Sequence, residues 1–273
     1  MTNAVEKTDH LLITGAAGAL GQVLRQKLKP YVQSMRLSDI APMAPAADDH
    51  EETVICDLAD KAGVNALCRG MDAVLHLGGI SVEHSFEDVL GPNIVGAYHI
   101  YEAARRNNVP RVIFASSNHV VGFHPQGELL QTDCARRPDG CYGLSKSFGE
   151  DVARFYFDRY GIESACLRIG SAFPEPKDRR MLMTWLSFAD LAELVRCCLV
   201  APDLGCTVVW GVSANRDVWW DNAGAAKIGF QPKDSSEPFR AKVEAAQPPL
   251  PDDDPVKRFQ GGAFVKAGPY PAG

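Results

Sequence analysis

The feature that most restricts the fold of this chain is a short apolar segment that leads directly into a glycine-rich turn and an amphipathic helix. Residues 11–14 form the apolar segment, Gly15, Gly18 and Gly21 follow at three-residue spacing, and leucine and valine recur at helical spacing over residues 20–28. Glycine lets the backbone turn sharply from a strand into a helix, and it lets a pyrophosphate approach the helix N-terminus, where unpaired N–H groups favour anions. The segment therefore predicts the start of a dinucleotide-binding βαβ unit.

The second predicted strand ends in an acid where a ribose-binding carboxylate is expected. Asp39 closes the strand at residues 36–39 and lies eighteen residues beyond Gly21. Its carboxylate would accept hydrogen bonds from the hydroxyls of an adenosine ribose and would repel a 2′-phosphate. Residues 40–42 contain no lysine or arginine to neutralise such a phosphate. The sequence therefore favours NAD over NADP, with a plain turn aspartate at a strand end as the alternative.

Strand-like and helix-like segments alternate along most of the chain. The predicted strands are residues 11–14, 36–39, 54–56, 73–77, 112–115, 164–169 and 207–211, and the predicted helices are residues 20–28, 61–68, 92–108, 142–160 and 189–200. This alternation predicts an α/β fold, a Rossmann-type doubly wound parallel sheet whose ligand binds at the carboxyl ends of the strands. We expect residues 1–170 to form the dinucleotide-binding domain and residues 171–273 a small C-terminal substrate-binding lobe, interleaved with it in one compact unit.

A tyrosine and a lysine lie one helical turn apart in the predicted helix at residues 142–160. Tyr142 and Lys146 have i, i+4 spacing and therefore share a face of that helix. A free phenol has a pKa near ~10 and is a poor base at neutral pH, whereas a nearby cation favours the phenolate and lowers that pKa. The pair is a candidate proton acceptor, with a packed tyrosine beside a solvated lysine as the alternative.

Composition limits the partners and the compartment. The net charge is −6, with acids and bases interspersed along the 273 residues, which argues against nucleic acid or an anionic membrane surface as the main partner. No run approaches the ~18 apolar residues needed to span a bilayer. The polar residues 1–7 lack the apolar core of a secretory signal, so a cytoplasmic location is expected. The eight cysteines include no C-x-x-C pair and the seven histidines form no cluster at metal spacing, which predicts reduced thiols and no metal site.

Several motifs resemble, in the same order, those of the extended short-chain dehydrogenase/reductases, from residue 11 to at least residue 199. Besides the glycine turn and the Tyr142/Lys146 pair, acidic and glycine motifs follow the third and fourth strands, and Ser117 lies twenty-five residues before Tyr142. The resemblance implies that Ser117, Tyr142 and Lys146 are catalytic. It also implies that NAD contacts Gly15, Gly18, Leu20, Gly21, Asp39, Asp57, Leu58, Leu77, Gly78, Gly79, Asn93, Tyr142 and Lys146.

Further stretches resemble one group of that family, the uronate dehydrogenases. They are residues 76–81, 116–119, 168–171, 180–182, 219–222 and 259–264. The resemblance implies a pocket for a uronic acid formed by Ser81, Ser117, Asn118, His119, Ser171, Arg180 and Phe264. In this pocket Arg180 would clamp the substrate carboxylate through two parallel hydrogen bonds, and the neighbouring Arg179 is the rival for that role. Val120 departs from the group's pattern, in which a threonine is expected beside His119.

The resemblance implies an NAD-dependent dehydrogenase that oxidises C1 of galacturonate or glucuronate to the aldarolactone, with Tyr142 as the base. The alternatives are a nucleotide-sugar epimerase, another extended short-chain sugar dehydrogenase, and a non-catalytic NAD-sensing regulator on the same fold. The chain is short for an epimerase, and an intact set of Ser117, Tyr142 and Lys146 argues against a regulator. Analogy with the family also implies a homo-oligomer that associates through the predicted helices 92–108 and 142–160.

Overall fold

The computed structural model describes residues 8–268 and residue 270. The N-terminal segment 1–7, which was expected to lack a secretory signal, lies outside these described residues. The strands found are β1 (Thr8–Thr14), β2 (Val32–Asp39), β3 (Glu51–Ile55), β4 (Ala73–His76), β5 (Arg111–Ser117), β6 (Glu163–Ile169), β7 (Ser171–Ala172), β8 (Trp185–Leu186) and β9 (Cys206–Gly211). A parallel seven-stranded sheet has the order β3-β2-β1-β4-β5-β6-β9, and β7 pairs with β8 in a small separate sheet.

Helices connect these strands and continue beyond the last of them. They are α1 (Ala19–Lys27), α2 (Lys61–Leu67), α3 (Phe86–Val89), a π-helix (Leu90–Val95), α4 (Gly96–Arg106), α5 (Cys141–Tyr160), α6 (Met181–Thr184), α7 (Phe188–Val200), α8 (Arg240–Ala246) and α9 (Pro255–Arg258). Short 3₁₀ turns occupy Lys29–Tyr31, Asn118–Val121, Ala223–Ile228, Glu237–Phe239 and Gly262–Lys266. None of the helices in the described part of the chain is long and apolar enough to cross a membrane.

Helices cover both faces of the large sheet. Successive side chains of a strand point to opposite faces, and apolar side chains on both faces pack against helices. Leu11 and Ile13 of β1 join an apolar cluster with residues of α1 and α7. Leu12, which lies between them, joins a second cluster with residues of α2, α4 and α5. These three side chains are fully buried, which explains why residues 11–13 of β1 are a continuous apolar run. The predicted α/β fold with a doubly wound parallel sheet is confirmed.

A reversal in strand order determines where a ligand fits. The chain builds β2 and β3 on one side of β1 and then crosses to place β4 on the other side. The connections that leave the carboxyl ends of β1 and β4 therefore run to opposite faces of the sheet and leave a crevice between them. Gly15 follows β1 and Leu77 follows β4. Two of the predicted binding segments thus meet at this crevice.

Strand β9 and helix α7 belong to the main sheet and its covering layer although both lie beyond residue 170. A division of the chain at residue 170 therefore does not follow the edge of the sheet. We propose that the substrate-binding lobe consists of the segments that contain α6, α8 and α9, inserted around this shared core.

The predicted helix at residues 92–108 differs in its first turn. The structure has the π-helix at Leu90–Val95 and regular α-helix only from Gly96 to Arg106. Pro92 has no N–H to donate and its ring clashes with the carbonyl of the preceding turn, so a regular α-helical turn is disfavoured there. The wider turn is of a kind often found at functional sites.

Candidate active site

A cavity of about 900 Å³ opens at the carboxyl ends of β1, β4, β5 and β6. It brings together nearly all of the site residues expected from the sequence. Its walls include Gly15, Gly18, Leu20, Gly21, Asp39, Asp57, Leu58, Leu77, Gly78, Gly79, Ser81, Ser117, Asn118, His119, Tyr142, Lys146, Ser171, Arg180 and Phe264. The predicted dinucleotide residues and the predicted sugar residues therefore share one continuous space.

Close backbone contacts explain the glycines at the start of this cavity. Gly15 has a φ of +72°, and a Cβ atom built on it would lie 2.7 Å from the backbone nitrogen of Gly78. A Cβ atom on Gly21 would overlap the carbonyl oxygen of Gly15. Any larger residue would push the turn away from the loop after β4 or push α1 away from the turn. The cradle predicted for a pyrophosphate depends on both glycines.

Asp39 is held at the end of β2, facing the glycine turn. Its carboxylate accepts hydrogen bonds from the N–H groups of Ala17, at 3.0 Å, and Ala41, at 3.0 Å. A carboxylate has about four acceptor positions, so the oxygens retain capacity for further donors. This is the arrangement that a ribose with two adjacent hydroxyls requires.

Asn93, which is predicted to contact the cofactor, is buried and is not part of the cavity wall; its contact with the cofactor stays a prediction. Its Oδ1 accepts from the N–H of Ile80 at 2.8 Å, and its Nδ2 donates to the Ile80 carbonyl at 3.0 Å and to Ser145 Oγ at 2.9 Å. Both N–H donors of this buried amide are used, and its oxygen accepts one hydrogen bond. These hydrogen bonds connect the loop after β4 to α5. Both segments carry other predicted site residues.

Tyr142, Lys146 and Ser117 are buried together, with exposed fractions of 7%, 5% and 4%. Burial raises the pKa of Tyr142 to about 12, and a hydrogen bond with Ser117 acts in the opposite direction. Burial also lowers the pKa of Lys146 to about 8. The Lys146 Nζ atom lies 5.7 Å from the centre of the Tyr142 ring. Burial therefore opposes the expected effect of Lys146 on the pKa of Tyr142, and that effect stays a prediction.

Arg180 is a partly buried cation whose hydrogen-bond partners among the described residues are neutral groups. Its Nε donates to the Gln260 carbonyl at 2.6 Å, and one terminal nitrogen donates to Ser171 Oγ at 3.4 Å. With the Asn118 amide oriented so that its oxygen faces the guanidinium, that oxygen accepts from the other terminal nitrogen at 2.6 Å. Within residues 8–268 and 270, no carboxylate forms a salt bridge with it. Burial lowers the pKa of Arg180 to about 10, which still leaves it charged at neutral pH.

Arg179 points away from this cavity. Its Nε donates to the Gln247 carbonyl at 2.6 Å, and a terminal nitrogen donates to the Glu244 carbonyl at 2.9 Å. It also lies 3.8 Å from the Glu244 carboxylate. Arg179 therefore anchors the segment that follows α8. Of the two neighbouring arginines, Arg180 lines the cavity.

His119 and Phe264 form the aromatic wall beside Tyr142. The His119 and Phe264 rings pack edge to face with centres 3.8 Å apart, and the Phe264 ring stacks on Tyr142 at 6.2 Å. The Nδ1 atom of His119 lies 2.7 Å from Oδ2 of Asp139. Val120, the departure noted in the sequence, is fully buried in an apolar cluster with Trp210 and other side chains. Val120 does not line the cavity.

Three residues that support this site were not predicted. Glu83 accepts hydrogen bonds from the N–H groups of Cys141, at 2.8 Å, and Tyr142, at 2.9 Å, and so caps α5. Gln260 is fully buried, and its amide donates to the carbonyls of Pro125 and Glu128 and accepts from the Trp220 indole. Asp139 binds His119. Each acts across a long sequence separation, which leaves no local pattern to recognise.

Comparison with known proteins identifies close relatives over nearly the full length. The model of the NAD dependent epimerase/dehydratase family matches residues 11–208. A uronate dehydrogenase of Pseudomonas syringae pathovar tomato is 62% identical over 262 residues, which cover 96% of this chain and 95% of that protein. The crystal structure of a uronate dehydrogenase mutant from Agrobacterium tumefaciens complexed with NAD is 50% identical, with a TM-score of 0.93 over 96% of this chain and 98% of that one. A glucuronic acid dehydrogenase from Chromohalobacter salexigens is 49% identical, with a TM-score of 0.93 over 96% and 98% of the two chains.

Proposed function

Because this chain belongs to the NAD dependent epimerase/dehydratase family and, within it, to the uronate dehydrogenases, we propose that it oxidises galacturonate or glucuronate at C1 to the aldarolactone. The observation that carries the substrate class is Arg180. Its guanidinium is partly desolvated and, among the described residues, hydrogen-bonds to neutral groups, with the Asp178 and Asp139 carboxylates acting on it without forming salt bridges. A substrate carboxylate would supply a directly bound counter-ion. The planar fork of the guanidinium suits a carboxylate, which it binds through two parallel hydrogen bonds.

The glycine turn and Asp39 fit a bound NAD. Gly15 and Gly21 leave room for a pyrophosphate at the N-terminus of α1, and the Asp39 carboxylate faces the place of the adenosine ribose. Leu58 and the Leu77 to Gly79 loop complete the walls of that half of the cavity. When bound, NAD supplies the hydride acceptor and a positively charged nicotinamide ring.

Tyr142, Ser117 and Lys146 are proposed to handle the proton of the substrate hydroxyl. Tyr142 takes that proton as the hydride leaves the same carbon. Ser117 donates a hydrogen bond to the reacting oxygen and holds it at the distance the base needs. Lys146 supplies positive charge close to the phenol, which favours the phenolate and acts against the effect of burial on the pKa of Tyr142.

The other functions are less well supported. A non-catalytic regulator would not require Ser117, Tyr142 and Lys146 to be buried together in one cavity. In the sugar half, Arg180, His119 and Phe264 close around a space suited to a small acid. A direct test is to incubate the purified protein with NAD and follow NADH absorbance with galacturonate, galactose or a UDP-sugar. NADH formation with galacturonate alone is expected, and formation with the UDP-sugar alone would overturn the proposal.

Asp39→Ala is expected to weaken NAD binding and to allow NADP to be used. The substitution removes the acceptor for the ribose hydroxyls and the negative charge that repels a 2′-phosphate. The measurement is kcat/KM for NAD and for NADP in the wild type and the variant. Asp49→Ala, at an exposed acid that does not line the cavity, is a control for a general loss of negative charge. Equal use of the two cofactors by the wild type would contradict this role of Asp39.

Lys146→Met is expected to lower the rate at neutral pH and to shift the rise of activity with pH to higher values. The phenol loses a nearby cation, so its pKa increases and more alkaline solution is needed to form the phenolate. The pH profile of kcat is the measurement. If the profile keeps its position, Lys146 acts on something other than Tyr142.

The free energy of unfolding, measured against pH, distinguishes this effect on the rate from misfolding of Lys146→Met. The folded-state pKa of Lys146 is lowered from 10.5 to about 8, so the folded chain gives up this proton more readily than the unfolded chain. The buried ammonium therefore destabilises the fold below about pH 8, and the free energy of unfolding should rise as the pH increases from about 8 to 10.5. Lys146→Met should abolish this contribution and raise the midpoint of thermal unfolding at neutral pH.

We also propose that the protein is a homo-oligomer. Several large apolar side chains on α4 and α5 are exposed: Tyr98, Leu144, Phe148, Phe155 and Tyr160. Apolar groups gathered on two neighbouring helices are typical of a contact surface. A second copy of the chain would cover the same residues through a two-fold axis. Size-exclusion chromatography with light scattering tests the assembly state, and a monomer at micromolar concentration would overturn this part of the proposal.

A further inference from the structure

A buried histidine–aspartate pair lies next to the groups that handle the proton. His119 Nδ1 is 2.7 Å from Asp139 Oδ2, and the side chain of Asp139 is 1% exposed. The His119 ring packs against Tyr142 with centres 5.8 Å apart. His119 lines the cavity, whereas Asp139 lies behind it and does not. None of the roles given above to Ser117, Tyr142 and Lys146 requires Asp139.

Three glycines from separate segments hold the Asp139 carboxylate in place. A Cβ atom on Gly122 or on Gly261 would overlap Asp139 Oδ2, and a Cβ atom on Gly143 would lie 3.1 Å from its Oδ1. Gly122 follows the 3₁₀ turn after β5, Gly143 lies in the first turn of α5, and Gly261 precedes Phe264. The carboxylate thus occupies a space that only glycine leaves open on three sides. It has little freedom to move away from His119.

The hydrogen bond to Asp139 determines which nitrogen of His119 carries the proton. A carboxylate only accepts hydrogen bonds, so the proton of the pair lies on Nδ1. Burial lowers the pKa of His119, with Asp139 acting in the opposite direction, and the neutral ring therefore dominates. In a neutral ring protonated at Nδ1, Nε2 has a lone pair and accepts hydrogen bonds. Nε2 of His119 is then a hydrogen-bond acceptor in the cavity wall beside Tyr142. Ser117 and Arg180, in the same wall, are donors.

We propose that Asp139 is a positioning residue that fixes His119 in the Nδ1-protonated form, so that Nε2 accepts a hydrogen bond from a hydroxyl of the sugar ring close to the reacting carbon. This inference rests on the proposed function, because it concerns how the same site recognises its substrate. His119 Nε2 and Arg180 would recognise different groups of the same sugar. The arginine selects the carboxylate end of the sugar, and His119 selects a hydroxyl at the opposite end.

The tautomer of His119 is directly measurable in the wild-type protein. Nitrogen-15 NMR of protein labelled at histidine distinguishes a protonated from an unprotonated ring nitrogen, and the His119 signals are those missing from a His119→Gln sample. We expect a protonated Nδ1 and an unprotonated Nε2 at neutral pH. Protonation at Nε2, or a doubly protonated ring, would overturn the proposal. This measurement does not depend on activity, so it stands even if the protein fails to oxidise uronic acids.

Kinetics test the consequence for the substrate. Asp139→Asn preserves the size of the side chain within the three glycines but no longer specifies the tautomer. It is expected to raise KM for galacturonate by about tenfold, the order of effect of one lost hydrogen bond, with a smaller effect on kcat. In the His119→Ala background the same substitution should have little further effect on KM. NADH binding and the thermal midpoint, measured on each variant, serve as controls for folding.

The double substitution separates a positioning role from a structural one. A residue that merely maintains the fold, or that acts only through the charge of Arg180, would raise KM by the same factor in both backgrounds. Equal effects of Asp139→Asn with and without His119 would therefore overturn the proposal. If Asp139→Asn does not fold, the NMR measurement on the wild type decides the question. Absence of uronate oxidation by the wild type would instead count against the proposed function.

Discussion

Replacing Tyr142 by phenylalanine is expected to lower kcat for galacturonate by roughly 10²–10⁴-fold, the range that a general base contributes. The substitution removes only the hydroxyl that accepts the substrate proton and leaves the ring that packs against His119 and Phe264. Binding of NADH should therefore remain largely intact. The measurements are kcat with saturating NAD and the Kd of NADH from fluorescence.

Tyr160→Phe is a matched control for this substitution. Tyr160 lies at the other end of the same helix, α5, and is 44% exposed. Tyr160 does not line the cavity, so the variant should retain the wild-type kcat. Activity of Tyr142→Phe above a tenth of the wild-type value would contradict the assignment of Tyr142 as the base. A loss of NADH binding in step with kcat would indicate a packing defect instead.

Arg180→Ala is expected to reduce kcat/KM for galacturonate by a hundredfold or more, which corresponds to roughly 3 kcal/mol of lost binding to a desolvated charge. Wild-type protein should use galactose poorly, because a neutral sugar leaves the buried guanidinium without a counter-ion. In Arg180→Ala the difference in kcat/KM between galacturonate and galactose should become smaller. The measurement is kcat/KM for galacturonate and for galactose in both proteins.

Arg179→Ala is the internal control, since the two arginines are adjacent in sequence but have different partners. Arg179 contacts carbonyls beyond the cavity, and its removal should affect kcat/KM much less. Arg180→Lys retains the charge but not the planar fork, so a large loss in this variant would support two parallel hydrogen bonds. Equal use of galacturonate and galactose by the wild type would contradict the uronate proposal. A larger effect at Arg179 than at Arg180 would move the carboxylate site by one residue.

The parts of the fold and site that the sequence predicted are those encoded by local chemistry. The strand, glycine turn and helix from residue 11 to residue 28 follow from periodicity and from the freedom of glycine, and the structure has all three. Asp39 was predicted from its place at a strand end, and it lies beside the glycine turn. The π-helix before α4 was missed because apolar spacing does not reveal how a turn with Pro92 widens.

Contacts between distant segments account for what the sequence did not predict. Arg179 and Arg180 are the same residue type in the same charged loop, and only their tertiary partners, Gln247 and Gln260, distinguish them. The desolvation that raises the pKa of Tyr142 was also not predicted. Spacing predicts a nearby cation, whereas burial depends on everything packed around the ring.

Gln260 and Phe264 follow the segments that form the nucleotide half of the cavity after a long stretch of chain. The glycine turn, Asp39 and the loop after β4 are synthesised within the first 81 residues, whereas the carbonyl that holds Arg180 and the ring beside Tyr142 belong to residues 260 and 264. A growing chain on the ribosome therefore contains the parts of its nucleotide cleft well before its sugar pocket is complete, since folding during synthesis proceeds from the N-terminal side. Dinucleotide that binds such an intermediate would stabilise it by mass action before residues 260 and 264 complete the sugar pocket.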